Sequence, residues 1–210
     1  MSVEGNGKYE RTHKALVQCA IQMFYEEGFD AVSIQKICRR AGVSRANFYR
    51  HFKNKEHLLS EYYENLYFFS EEMKKWVENA PDPWVAIIRM QILYIQNMCN
   101  SDHADLISHY LSYRLTEAKN ETVFDFPNKM EERLTRLLRE AHAAAIIGNP
   151  SDARYLCSSI LMMHAGNIFN WCARGGKFDC FTDFFWNLEA VLCVSEEHRG
   201  QWKMEIRYIQ

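Results

Sequence analysis

The chain has 210 residues, 48% of them hydrophobic, and its 25 Lys+Arg against 27 Asp+Glu leave a formal net charge of −2. That size and apolar content give ample buried core for a small domain fused to a larger one, and no repeat or low-complexity segment interrupts them. With no N-terminal apolar signal segment and no unbroken apolar run of about 18 residues, neither secretion nor membrane spanning is expected. Charge is unevenly spread: residues 1–60 hold 10 Lys+Arg and 6 Asp+Glu, whereas residues 61–210 hold 15 and 21. A basic head on an acidic body directs a polyanion to one end of the chain.

Residues 1–8 are small and polar and read as a frayed terminus, with Lys8 and Arg11 within reach of a neighbouring phosphate. From Tyr9 to Glu27, Ala15, Leu16, Cys19, Ala20, Met23 and Phe24 recur at threes and fours, which predicts an amphipathic helix closed by Gly28. Ser33 is suited to cap a short second helix over 34–40 whose Ile34 and Ile37 face inward. Gly42 can take the positive φ that ends a helix, Val43 fills the angle, and Ser44 caps a third helix. Phe48 and Phe52 share one side of that helix, leaving Arg45, Asn47, Tyr49, Arg50 and His51 on others. Two short helices joined by a tight turn, the second anchored on one side and polar on the other, form a helix-turn-helix. Its second helix would enter the major groove of double-stranded DNA. Seven basic residues between Lys36 and His57 against one acid, Glu56, suit phosphates.

The run G-V-S-R-A-N-F-Y-R-H-F-K-N-K-E-H-L-L from Gly42 to Leu59 resembles the DNA-binding signature of the tetracycline-repressor (TetR) family of bacterial transcription regulators. The resemblance covers roughly the first 60 residues. It departs from the family pattern at Ala46 and Asn47, where Gly and Thr are common, and at Phe48, where Leu is common. Asn47 can bond bidentately to adenine, so the operator is expected to differ from the family's usual ones. The resemblance implies a DNA-binding domain over 1–54, a helical effector-binding and dimerisation domain over 55–210, and a homodimer that reads a palindromic operator and is released by a small-molecule effector. Arg45 and Asn47 are assigned to base reading, and Ser33, Ser44, Ala46, Tyr49, Arg50, His51, Lys53 and Lys55 to close approach or phosphate contact. An architectural or division-linked DNA binder without an effector, and a helical interaction protein that no longer binds DNA, remain as alternatives.

A helix from Lys55 to about Asn79, with Leu58, Leu59, Tyr62, Leu66, Phe69, Met73 and Trp76 inward, is expected to act as a rigid rod. Pro81 and Pro83 punctuate the chain before a helix over 83–99. Further helices are expected to about Lys119, from Met130 to Gly148, over 151–174 and over 179–195. The fold class is therefore all-α. The last two helices are apolar nearly all round, so a second copy of the chain is expected against Leu156, Ile160, Met163, Trp171, Phe181, Phe184, Phe185, Leu188 and Leu192. An effector pocket is assigned to Trp84, Tyr94, Met98, Tyr110, Tyr113, Arg114 and Phe169 on the middle helices. The tail over 196–210 receives no role.

No nucleophile beside a base, paired carboxylates or phosphate loop is evident, so neither catalysis nor a cofactor is expected. Gly175-Gly176 is a helix stop. His103 and His109 fall on different faces, and His164 reads as a satisfied interior histidine rather than a metal ligand. Seven cysteines lack any C-x-x-C pairing and read as reduced core residues of a cytoplasmic protein.

Overall fold

The computed structural model describes residues 3–65, 70–99, 104–117 and 128–207. Among them the chain is helical throughout: α1 Val3–Glu27, α2 Ile34–Ala41, α3 Arg45–His51, α4 Lys55–Asn65, α5 Glu71–Glu78, α6 Pro83–Met98, α7 Ala104–Glu117, α8 Asn128–Ala143, α9 Ala153–Ala173, α10 Thr182–Leu192 and α11 Trp202–Arg207. The chain divides into two compact units, Met1–Asn65 with Asp105–Val123, and Leu66–Ala104 with Phe124–Gln210.

In the first unit, Leu16, Ala20, Met23 and Phe24 of α1 meet Ile37 of α2, Phe48 of α3, Phe52, and Leu58 and Leu59 of α4 in one buried core. The turn between α2 and α3 closes as its sequence suggests. Gly42 has φ +67°, its N–H donates to Arg39 O at 3.3 Å, and the Val43 N–H reaches back to Cys38 O at 3.0 Å. These two bonds satisfy carbonyls that a helix end otherwise leaves open. Helix α7 also belongs here: Leu106, Ile107 and Tyr110 are buried, the His109 ring lies 4.2 Å from Phe29, and Arg114 bonds Glu64 at 2.9 Å.

Three expectations about length change, the helix expected to reach Gly148 ending at Ala143. α1 already runs from Val3, not from Tyr9. The rod expected over 55–79 is not one helix: α4 is described to Asn65, and Ser70, at φ −58° and ψ 161°, caps a fresh helix by accepting from the Met73 N–H. Expected residues Leu66, Phe69, His103 and the 124–127 segment lie outside the described residues.

In the second unit α6 is the central element, with Trp84–Ile88, Met90–Ile95 and Met98 buried. Leu134, Leu137, Leu138 and Ala141 of α8 and Leu156, Cys157, Ile160 and Ile168 of α9 complete the core around it. The tail has a structural role that its sequence did not disclose. Trp84 donates its indole N–H to His198 O at 3.0 Å, Arg89 pairs with Glu205 at 2.8 Å, and Trp202 stacks on Phe185 with ring centres 5.4 Å apart.

The structure also re-sorts the faces of α9 and α10. Leu156, Ile160, Trp171, Phe184, Phe185, Leu188 and Leu192 are buried inside the single chain, with only Met163 and Phe181 of the expected interface set partly exposed. The surface these helices present is different: Tyr155 (73% exposed), Met162 (61%) and Phe169 (67%) on α9 and Trp186 (50%) on α10. Periodicity marks both helices as apolar all round, and packing of α9 against α8 and of α10 against α9 and Trp202 decides which side turns inward.

Candidate nucleic-acid interface

Ser44, extended at φ −77° and ψ 155°, accepts from the Asn47 N–H at 3.1 Å and so starts α3 at Arg45. Phe48 and Phe52 point into the core with ring centres 5.7 Å apart. That anchorage fixes the rotation of the helix, and Arg45, Ala46, Tyr49 and Arg50 stand exposed as a consequence, with Asn47 half-buried.

The basic residues divide into two sets. Lys36 pairs with Glu27 at 2.6 Å and Arg40 with Glu26 at 2.6 Å, so α1 supplies counter-charge for the far side of α2. Among the described residues Arg39, Arg45, Arg50 and Lys53 have no acidic partner and are exposed. The uncompensated charge therefore lies on and around α3, where a phosphate backbone would neutralise it.

Two of the expected phosphate contacts are engaged elsewhere. The Lys55 ammonium donates to Phe29 O at 2.8 Å and Val32 O at 3.2 Å and sits 4.1 Å from the centre of the Phe29 ring. It staples the loop after α1 to the start of α4. His51 is only 8% exposed, with its ring 4.1 Å from Tyr9 and 5.5 Å from His13. Ser33 keeps its expected place at the start of α2, where its hydroxyl accepts from the Lys36 N–H at 3.2 Å.

Sequence reasoning missed one wall of the site. Lys8, Tyr9 and Thr12 of α1 border a groove of about 460 Å³ whose other side is Ser44, Ala46, Asn47, Arg50 and His51. The sequence offers Lys8 only on a frayed arm within reach of a phosphate, and Tyr9 and Thr12, inside the helix expected from Tyr9, carry no local signal that they face α3.

Burial, with the neighbouring charges of His13 and Arg50, lowers the His51 pKa, and burial alone lowers that of His164 well below its ordinary value. The groups around His51 are Tyr9 and His13 of α1, Arg50 of α3, and His57 and Glu61 of α4, with Glu61 2.9 Å from His13 and 3.5 Å from His57. A histidine that is harder to protonate when folded contributes stability that is present above its unfolded pKa, near 6.5, and is lost as pH falls through that value toward the folded one. The thermal midpoint is therefore expected to drop between about pH 7.5 and pH 5, and His51→Gln to flatten part of the drop. A midpoint that held steady or rose on acidification would contradict this linkage.

As for the assigned effector residues, Trp84, Tyr94 and Met98 fall in the second unit and Tyr110, Tyr113 and Arg114 in the first, while Phe169 is on the outer surface of α9. They do not converge within either unit. Tyr94 alone of the seven borders a small cavity between α6, α8 and α9.

This anchored, capped pair of helices with its bare basic face defines a helix-turn-helix protein. The chain matches, over residues 16–62, the family model described as bacterial regulatory proteins, tetR family. It is 30% identical over 112 residues to the transposon Tn10 TetC protein of Escherichia coli, covering 53% of this chain, so the match spans about half (49%) of that relative's length. It is 25% identical to the nucleoid occlusion factor SlmA of Vibrio campbellii over 192 residues, 88% of this chain and 96% of SlmA. Among solved structures, Thermus thermophilus FadR, a TetR-family repressor crystallised with lauroyl-CoA, superposes with a TM-score of 0.62 over 86% of this chain and 93% of its own, at 15% identity. That last likeness speaks for the fold alone. No helix among the described residues is long and apolar enough to cross a membrane.

Proposed function

We propose that the protein is a DNA-binding transcription regulator that acts as a homodimeric repressor and is released from a palindromic operator by a small-molecule effector. The observation that carries this is the orientation of α3, whose two phenylalanines are buried while Arg45, Tyr49 and Arg50 face outward around the groove shared with α1. In this reading Arg45 and Asn47 meet base edges. Ser44, Tyr49, Arg50, Lys53 and Lys8 meet phosphates, and Ala46 allows close approach. The exposed stripe of Tyr155, Met162 and Phe169, spaced by seven residues along α9, together with Trp186 of α10, forms the contact between copies. Half-sites then lie about one helical turn apart or a multiple of it. The effector shifts the equilibrium only by its difference in affinity for the two states, typically about 1–3 kcal/mol of coupling.

Selection of bound sequences from random DNA tests the reading: a two-fold symmetric motif is expected, and no enrichment at all would overturn it. Asn47→Ala should change the selected bases at one position of each half-site. A further test separates two lysines that lie two positions apart. Lys53→Ala should leave stability alone and flatten the salt dependence of binding by about one unit of slope per lost phosphate contact, whereas Lys55→Ala should leave the slope alone. The latter should instead cost about 1–3 kcal/mol of stability in urea titrations, because two carbonyls lose a charged donor.

The near full-length alignment with SlmA favours one second reading, a DNA binder connected with the nucleoid that needs no effector. Motifs scattered over the chromosome rather than at promoters, in a genome-wide occupancy map, would favour it.

A further inference from the structure

The second unit contains a polar cluster that DNA recognition does not use. His164 of α9 is 1% exposed, and its Nε2 lies 2.6 Å from Gln91 Oε1 of α6. A carboxamide oxygen only accepts, so Nε2 carries the hydrogen and Nδ1 is left as a bare acceptor. That Nδ1 is buried with no partner among the described residues. The imidazole stacks on Phe184 with centres 4.2 Å apart and has the Tyr94 ring 4.0 Å away on another side. His164 was expected to be a satisfied interior histidine, and it is only half satisfied.

His164 and Gln91 line the cavity between α6, α8 and α9, whose other walls include Met90, Tyr94, Met130 and Leu161. Its volume, about 10 Å³, holds one water and no more. Two of its walls are methionines, whose three rotatable bonds let a site enlarge around an occupant. Among the described residues no Lys or Arg lines it, and Glu131 is the one ionisable neighbour there besides His164 and Tyr94. Burial keeps the imidazole neutral. Among its described walls the site therefore offers a bare acceptor and aromatic faces, with no cation to pair with an anion.

We propose that this cavity is the effector site and that it takes an uncharged, lipophilic, phenol-like molecule whose hydroxyl or N–H donates to His164 Nδ1. The proposal rests on the effector-released regulator reading and adds the chemistry of the ligand to it. The occupant displaces the Met90 and Met130 side chains and lies between α6 and α9.

Calorimetric titration of the full chain with phenol, toluene and benzoate tests this, because the three share a ring and differ in donor and charge. Phenol is expected to bind about 5- to 10-fold more tightly than toluene, the worth of one hydrogen bond, and benzoate more weakly than either. In His164→Phe the stacking surface remains and the phenol preference should vanish. The double variant His164→Phe with Gln91→Met removes both polar partners, keeps the core filled, and should behave alike if the single variant folds poorly. Equal affinity for phenol and toluene, preference unchanged in both variants, or tightest binding of benzoate would each overturn the proposal. Chain that retards its selected DNA but binds none of the three probes would overturn this site and leave the regulator reading standing. Chain that binds phenol as described yet retards no DNA would support the site and sink the regulator reading.

Discussion

Phe48→Ala is expected to remove about 3–5 kcal/mol of stability, the cost of deleting a buried aromatic ring together with the void it leaves. The ring is fully buried between Phe52 and the α1 and α2 side chains. A domain of some 60 to 80 residues is stabilised by only about 0.05–0.15 kcal/mol per residue, so a loss of that size consumes most of what holds the first unit together. Its unfolding should appear as a separate, earlier transition in urea, and hydrogen exchange over α1 to α3 should lose protection, while the second unit with its own core around α6 melts as before. Phe48→Leu, the residue the family often carries here, keeps most of the volume and should cost less than about 1.5 kcal/mol. Tyr49→Ala, one position along and half exposed, should change stability by no more than about 0.5 kcal/mol. If Phe48→Ala kept the wild-type midpoint and exchange pattern, the buried ring would not be what orients α3, and the reading of its opposite face would lose its footing.

The DNA-binding unit was readable because its signals are local. Ser33, Gly42 and Ser44 each act on backbone within three or four residues, and the Phe48/Phe52 pair is one helical turn apart, so neither needs knowledge of the rest of the chain. Contacts that span the sequence were not readable. The charge of Lys55 looked available for phosphate, yet it is spent on carbonyls of Phe29 and Val32. His51 looked solvent-facing until Tyr9 of α1 covered it. The stop at Ser70 did carry a signal, a serine followed by Glu71 and Glu72, but apolar residues continuing through Met73 and Trp76 outweighed it. The tail is the extreme case, since Arg89 and Glu205 are 116 positions apart and nothing in either neighbourhood announces the pair.

Helices α9 and α10 show the same limit, because a helix apolar on every side has no preferred face until its neighbours are known. The expected seam fell on residues that the core claims, and the proposed contact moves to the stripe those residues leave outside. Met162→Arg combined with Phe169→Arg tests that assignment with a large expected effect. Both side chains are more than half exposed in the single chain, so the subunit should fold with a stability change of about 0.5 kcal/mol or less. Across a two-fold contact each arginine would face the charged stripe of its mate, where desolvation and like-charge repulsion oppose association. The mass by light scattering should fall to that of one chain, near the 24.8 kDa of the sequence. A monomer holds one half-site only. Halving the binding free energy of a typical specific complex, about 10⁻⁸ to 10⁻¹¹ M, weakens operator affinity by about 10⁴-fold or more. Leu156→Arg, a substitution at a buried position one residue from exposed Tyr155, should instead unfold the second unit, which separates an interface effect from a core effect. A double variant that remained dimeric and bound DNA as before would show that the copies meet somewhere other than this stripe.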